Sequence, residues 1–164
     1  MVMQNPLSGK YIHLKSYVDS DVYFLYELRN SNQYREFCSL LKQKISFPEF
    51  VLELSESMNF DRREQFIIED RQGNPIGAIH LYGLSKEHQN AFITICIVEQ
   101  KQNSGYGIEA FVLYLCYMIE KYNFHKVMAD VYSHNSHALH LLSKAGFIEE
   151  GYFKDHRKKM NQNG

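Results

Sequence analysis

The chain is 164 residues long, 45% apolar and 23% charged, the balance of one soluble globular domain. That composition excludes a disordered or low-complexity chain, and burial at this length needs no disulfide or metal staple. The formal net charge of −1 lacks the basic surplus of a nucleic-acid binder.

Taken in chain order, Tyr11–Lys15 alternates as a first strand. Asp19-Ser20-Asp21 offers an N-cap to a helix over Val22–Arg29, and Asn30-Ser31-Asn32 breaks it. Gln33–Leu41 reads as a short second helix. Ser46-Phe-Pro-Glu49 supplies a cap residue, an early proline and a glutamate, so Pro48–Met58 should be helical. Glu49, Glu53 and Glu56 then share a face. Three strands are predicted next, Gln65–Asp70, Ile76–Tyr82 and Phe92–Val98. They are joined by the turn Arg71–Asn74 and the polar loop Ser85–Asn90. Connections this short make them antiparallel neighbours.

Gly107–Tyr122 is apolar on nearly every side, which predicts a helix sandwiched in the core. A strand over Lys126–Tyr132 follows, then a helix over Ser136–Lys144 that stops at Gly146, then a strand over Phe147–Phe153. The order predicts one α/β domain over residues 1–164, with helices covering a mixed, mostly antiparallel sheet.

Cys38, Cys96 and Cys116 form no Cys-x-x-Cys pair. They read as buried free thiols in a reducing compartment. The first ten residues lack the layout of a signal peptide. The longest apolar run, Ala110–Ile119, falls short of the roughly 20 residues a bilayer span needs. A cytoplasmic protein with no membrane or nucleic-acid partner is expected.

The most informative stretch is Gln102-Asn-Ser-Gly105-Tyr-Gly107-Ile-Glu-Ala110. It follows a strand and opens a helix, where glycines let the backbone approach an anion and free N–H groups point at it. A plain strand-to-helix turn has the same appearance. Gly105-x-Gly107-x-x-Ala110, with Asp130 downstream, also fits a dinucleotide fingerprint. That fingerprint belongs to the first strand of a repeated parallel unit, and here antiparallel strands precede it.

Gln102, Gly105 and Gly107 match in register the Gln/Arg-x-x-Gly-x-Gly/Ala phosphate loop of the GNAT acyltransferase superfamily. Asn135, Ala138, Leu141 and Gly146-Phe147 match its second motif. The chain resembles this family from about Tyr11 to Phe153. Leu28-Arg29-Asn30, His125-Lys126 and Glu150-Gly151 are similar to the branch with ribosomal-protein N-terminal and nucleotide-aminosugar acetyltransferases.

The resemblance implies acetyl-CoA as co-substrate and a small-molecule primary amine as acceptor, a nucleotide-activated aminosugar being one candidate. Acetylation of a protein N-terminus, or a CoA-binding module without catalysis, are the alternatives. It also implies a strand before the loop that splays from its neighbour and pairs with the pantetheine arm. The implied cofactor residues are Ile97, Val98, Gln102, Asn103, Ser104, Gly105, Tyr106, Gly107, Asn135 and Lys144. Asn135 would otherwise cap its helix, and Lys144 would otherwise be a solvated lysine.

Many relatives place a Tyr where Leu142 stands and a Glu near Phe92, so neither usual proton carrier is present. His80 is the substitute candidate for the base. Ser136 is the substitute candidate for the acid, with Ser143 and Tyr132 behind it. Cys96 reads as a small core residue, which favours direct attack by the amine over an acetyl-enzyme. His134, His137 and His140 lack Cys or acidic companions, and no metal is expected. Arg29 and Arg35 fall where the acceptor pocket is shaped in the resemblance. Relatives end in a further strand after the Gly151 region, for which no sequence remains before Gly164. A bare sheet edge would invite a homodimer.

Overall fold

Short connections lay consecutive strands side by side, and the alternation of each strand then sorts its side chains onto two faces. The computed structural model describes residues 7–39, 42–60, 64–154 and 156. Its single sheet has the order β1 (Leu7–Ser8), β2 (Ile12–Ser16), β3 (Phe66–Asp70), β4 (Pro75–Ser85), β5 (Asn90–Ile97), β6 (Lys126–Met128). Every pairing from β1 to β5 is antiparallel, and β5 pairs with β6 in parallel. The α/β class and the antiparallel trio β3–β5 are as the sequence indicates. The two-residue β1 was not expected.

Helices α1 (Val22–Asn30), α2 (Asn32–Phe37) and α3 (Phe47–Phe60) lie between β2 and β3 in the chain. Ser31 ends α1 in an extended conformation and caps α2 by accepting from the Tyr34 N–H at 3.2 Å. The predicted second helix reached to Leu41, which lies outside the described residues; the observed helix ends at Phe37. Ser46 and Glu49 form the expected reciprocal box at the start of α3. The Ser46 N–H donates to the Glu49 carboxylate at 2.6 Å, and the Glu49 N–H donates to the Ser46 hydroxyl at 3.4 Å.

One face of the sheet buries Ile12, Leu14, Ile68, Ile79, Leu81 and Ile93 against α4 (Tyr106–Tyr122). The opposite face buries Ile67, Ala78 and Cys96 against Leu25 and Leu28 of α1 and Phe50 and Leu54 of α3. A fully buried side chain of this size contributes about 1.5–3 kcal/mol. Contrary to expectation, α4 is not sandwiched. It buries one stripe, Ala110, Phe111, Tyr114 and Met118, while Val112 and Ile119 stay exposed. The stripe falls at helical spacing, so one face does the packing.

Two further expectations fail for a shared reason. The strand predicted over Lys126–Tyr132 stops at Met128, and residues 147–153 form no strand. A strand exists only where a ladder partner exists. β6 finds partners only in Asn90, Ala91 and Phe92. Ile148, Tyr152 and Phe153 are 80%, 68% and 73% exposed. Helix α5 (Ser136–Lys144) is where the sequence places it. The closing Asn161–Gly164 segment lies outside the described residues.

Candidate functional site

Beyond Phe92 the outer edge of β5 has no ladder partner among the described residues, because β6 has already ended. The ladder ends there, and the unpaired edge of β5 beyond it is a seam in the sheet. The Val98 N–H donates to the Ile76 carbonyl at 2.9 Å. Antiparallel alternation therefore turns the backbone groups of Cys96 toward β4 and those of Ile95 and Ile97 toward the seam. Part of that edge is already used, since the Gln102 side chain donates from Nε2 to the Ile97 carbonyl at 3.1 Å. Gln102 thus holds the following loop against the strand end. Both backbone groups of Val98 are engaged, because its carbonyl accepts from the Lys101 N–H at 2.9 Å.

The loop then turns sharply. Asn103 sits at φ 58° and Gly105 at φ 82°, both left-handed, and Gly105 is the N-cap of α4. Asn103, Ser104 and Gly105 are exposed. No side chain caps this helix, so its first N–H groups and its dipole face outward together, an arrangement suited to an anion. The Ser104 hydroxyl donates to the Gln102 carbonyl at 3.2 Å. Gly107 has a packing reason to be glycine. A Cβ there would lie 3.3 Å from Leu141 of α5 and 3.7 Å from Ile97.

Asn135 caps α5. Its Oδ1 accepts from the Ala138 N–H at 3.1 Å, which leaves Nδ2 for another partner. Ser136, Ser143 and Lys144 are exposed on α5. Tyr132 packs at a tilt against His134 and lies under the Lys42 ammonium.

On the other face of the sheet, a small open cleft lies between α1, α3 and strands β4 and β5. Leu28, Arg29, Glu53, Gln65, His80, Thr94 and Cys96 are among its walls. Its wall along β5 is the seam strand, so the cleft and the seam meet across one strand. His80 on β4 is buried and stands opposite Thr94 on β5. Ser136 is not in this cleft wall.

Arg29 is only 3% exposed, and its guanidinium pairs with Glu53 through Nε at 3.2 Å and Nη2 at 3.4 Å. Its Nη1 and the Oε1 of Gln65 are buried without a hydrogen-bond partner among the described residues. Each such group costs about 1–3 kcal/mol, an expense expected at a binding surface rather than in a plain core. Arg35 instead binds the Asn30 and Lys42 carbonyls.

The cleft also holds a contact that no sequence spacing signals. Cys96 in the cleft wall shares an apolar cluster with Cys38, just past the end of α2. Hydrogen bonding from the Cys96 thiol, with the Thr94 hydroxyl and the nearby Lys42 ammonium, holds the Cys38 thiol below its ordinary value against the opposing effect of burial. The bond to Cys38 and burial push the Cys96 thiol well above its own. Gln65, Tyr34 and Thr94 are likewise wall residues that carry no motif.

Residues 12–148 match the family model described as an acetyltransferase (GNAT) domain. The chain is similar to the spermidine N(1)-acetyltransferase of Vibrio cholerae serotype O1, 27% identical over 139 residues, which cover 85% of this chain and 80% of that protein. Among solved structures, it resembles the Vibrio cholerae spermidine N-acetyltransferase in complex with CoA and spermine. The TM-score is 0.83 at 25% identity, covering 92% of this chain and 88% of that one. A dodecameric structure of the Vibrio cholerae enzyme in an intermediate state matches with a TM-score of 0.73 at 25% identity, over 91% and 89% of the two chains. No helix among the described residues is long and apolar enough to cross a membrane.

Proposed function

We propose, from the premise that this chain belongs to the acetyltransferase (GNAT) domain family and is an acetyl-CoA-dependent N-acetyltransferase of a small amine, that its acceptor is an aliphatic polyamine of the spermidine type. The observation that carries the proposal is the cleft against β5, with the Glu53 carboxylate in its wall, 44% exposed. A polyamine brings several ammonium groups. Glu53, paired with Arg29 on its buried side, meets one of them on its solvent side while a primary amine at the other end reaches the strand. Glu49 and Glu56 are exposed on the same helix and extend the negative field. The polyamine acetyltransferases of Vibrio cholerae support this class. They do not support the nucleotide-linked aminosugar or the finer branch expected from Leu28-Arg29-Asn30.

The residues are assigned as follows. Backbone amides of Asn103, Ser104, Gly105, Tyr106 and Gly107 hold the diphosphate of acetyl-CoA at the α4 N-terminus, in a loop braced by Gln102. The Ile97 N–H on the open edge pairs with the pantetheine arm, and the Val98 side chain lines the seat. Asn135 donates from Nδ2 to the same arm, and Lys144 reaches a phosphate from the exposed face of α5. The neutral amine attacks the thioester carbonyl carbon directly, the C–S bond breaks, and CoA leaves as a thiolate that takes a proton. His80, in the cleft wall, receives the proton of the amine, and Ser136 is the donor to the thiolate. Copies of the chain associate through an open sheet edge. A sedimentation mass that stays monomeric at every concentration would remove that last assignment.

Release of free thiol from acetyl-CoA, measured over a panel of amines, tests the reading. Spermidine and spermine should release one CoA per acetyl group transferred, detected as acetylated polyamine by mass. Turnover with a peptide N-terminus and none with polyamines would overturn the acceptor class. Binding of acetyl-CoA without turnover on any amine would reduce the protein to a CoA-holding module.

A further inference from the structure

We propose that Arg29 and Gln65 form a subsite in the cleft for an uncharged oxygen of the acceptor, so that the preferred acceptor is an aliphatic amine carrying a hydroxyl. The inference deepens the polyamine reading and rests on its placement of the acceptor in the cleft. Two buried atoms carry it. Arg29 Nη1 is a donor and Gln65 Oε1 an acceptor, and neither has a hydrogen-bond partner among the described residues. Arg29 is 3% exposed and Gln65 9%, and both line the cleft.

The guanidinium is held on its other sides. Glu53 takes Nε at 3.2 Å and Nη2 at 3.4 Å, and the Tyr34 ring faces it with its centroid 5.8 Å away. These contacts set the plane of the group and leave Nη1 as its unused edge. The backbone of Gln65 is pinned as well, since its carbonyl accepts from the Tyr17 N–H at 3.1 Å.

The chemistry of the ligand follows by elimination. An ammonium group has N–H donors for Gln65 Oε1 but no lone pair for Arg29 Nη1. A plain polyamine therefore answers one of the two atoms. A carboxylate would accept from Nη1, but Glu53 already balances the Arg29 charge at close range. A second carboxylate there would bury an uncompensated negative charge. A hydroxyl oxygen accepts from Nη1, adds no charge and suits a small cleft. Its own proton, or an N–H of the same ligand, goes to Gln65. Water can serve Nη1 when the acceptor has no hydroxyl, so unsubstituted amines remain substrates, less well held. The hydroxyl is a handle only, and the acetyl group still passes to the amine.

The test is thiol release from acetyl-CoA by the full chain with diaminopropane, diaminopropanol and diaminopropionate, which carry hydrogen, hydroxyl and carboxylate on one skeleton. The kcat/KM for diaminopropanol should exceed that for diaminopropane by about tenfold or more, as for a hydrogen bond to a charged donor. Diaminopropionate should be the poorest of the set. Equal values for the first two, or a preference for the carboxylate, would overturn the proposal. Arg29→Lys keeps a cation beside Glu53 and removes Nη1, and should bring the hydroxyl preference to within about twofold of unity. Gln65→Leu replaces an unpartnered buried oxygen by carbon. It should melt no lower than the unaltered protein, yet raise the KM for diaminopropanol about tenfold. A hydroxyl preference kept in folded Arg29→Lys, or an unchanged KM in Gln65→Leu, would equally overturn it. Melting temperatures with each compound read binding without turnover. Failure of spermidine and spermine to be acetylated would remove the polyamine reading. Equal melting shifts with diaminopropanol and diaminopropane would remove the subsite, whether or not spermidine is acetylated.

Discussion

Gly105 separates backbone tolerance from ligand electrostatics at a single position. Its φ of 82° is left-handed, and a Cβ there would meet no atom within 4 Å. Gly105→Ala should therefore lose only the conformational freedom, about 1–2 kcal/mol of stability, with acetyl-CoA affinity kept within a few-fold. Gly105→Glu bears the same backbone cost and also places a carboxylate against the amides assigned to the diphosphate. Its acetyl-CoA affinity should drop about a hundredfold or more, since like charges at close range outweigh the amide contacts. Denaturant melts and calorimetry on the two variants check this. Equal affinities for Ala and Glu would remove the loop from the cofactor site. Arg29 shows the other way a residue can be assigned. The sequence places it at the acceptor region, but only the fold shows it 3% exposed, held by Glu53 and with a spare buried N–H.

Helix α3 was legible because its start is a local device. Ser46 and Glu49 satisfy each other across one turn, so the boundary follows from four adjacent residues. Ser46→Ala should remove the side-chain half of that box and cost about 1 kcal/mol, read as a lower denaturation midpoint with an unchanged slope. A loss below 0.3 kcal/mol would mean the Glu49 contact to the Ser46 N–H carries the cap alone. The glycine loop and the α5 cap at Asn135 were legible on the same footing, since each depends on neighbours in sequence. The ends of the sheet were not. Lys126–Tyr132 has the composition of a longer strand, and Phe147–Phe153 follows the helix-ending Gly146 as one would. Ladder partners are a tertiary property, and β5 offers β6 only Asn90, Ala91 and Phe92. That same shortness leaves the seam, so the misread strand and the proposed cofactor seat have one cause. The cleft was half legible. His80 and Arg29 could be singled out by residue type, whereas Gln65, Thr94 and the Cys38–Cys96 contact arise from chain segments that only the fold brings together.

At the scale of the whole molecule, the cofactor should act as a folding ligand. The loop, the seam and α5 are the elements proposed to form its seat, and such a seat would not exist in the unfolded chain. A ligand that binds only the folded form adds RT ln(1 + [L]/Kd), about 2.7 kcal/mol at a hundred times Kd. For a domain of this size each kcal/mol raises the melting temperature by about 2–4 °C, so saturating acetyl-CoA should raise it by about 5–10 °C. CoA should do nearly as well, because the diphosphate and pantetheine arm are common to both. Gly105→Ala should retain the shift from its own lower baseline, and Gly105→Glu should lose it. Differential scanning of the four combinations measures this without reference to any acceptor amine. A cooperative melt that does not move with either ligand would mean that no such seat forms. A shift that survives Gly105→Glu would place the seat elsewhere on the molecule.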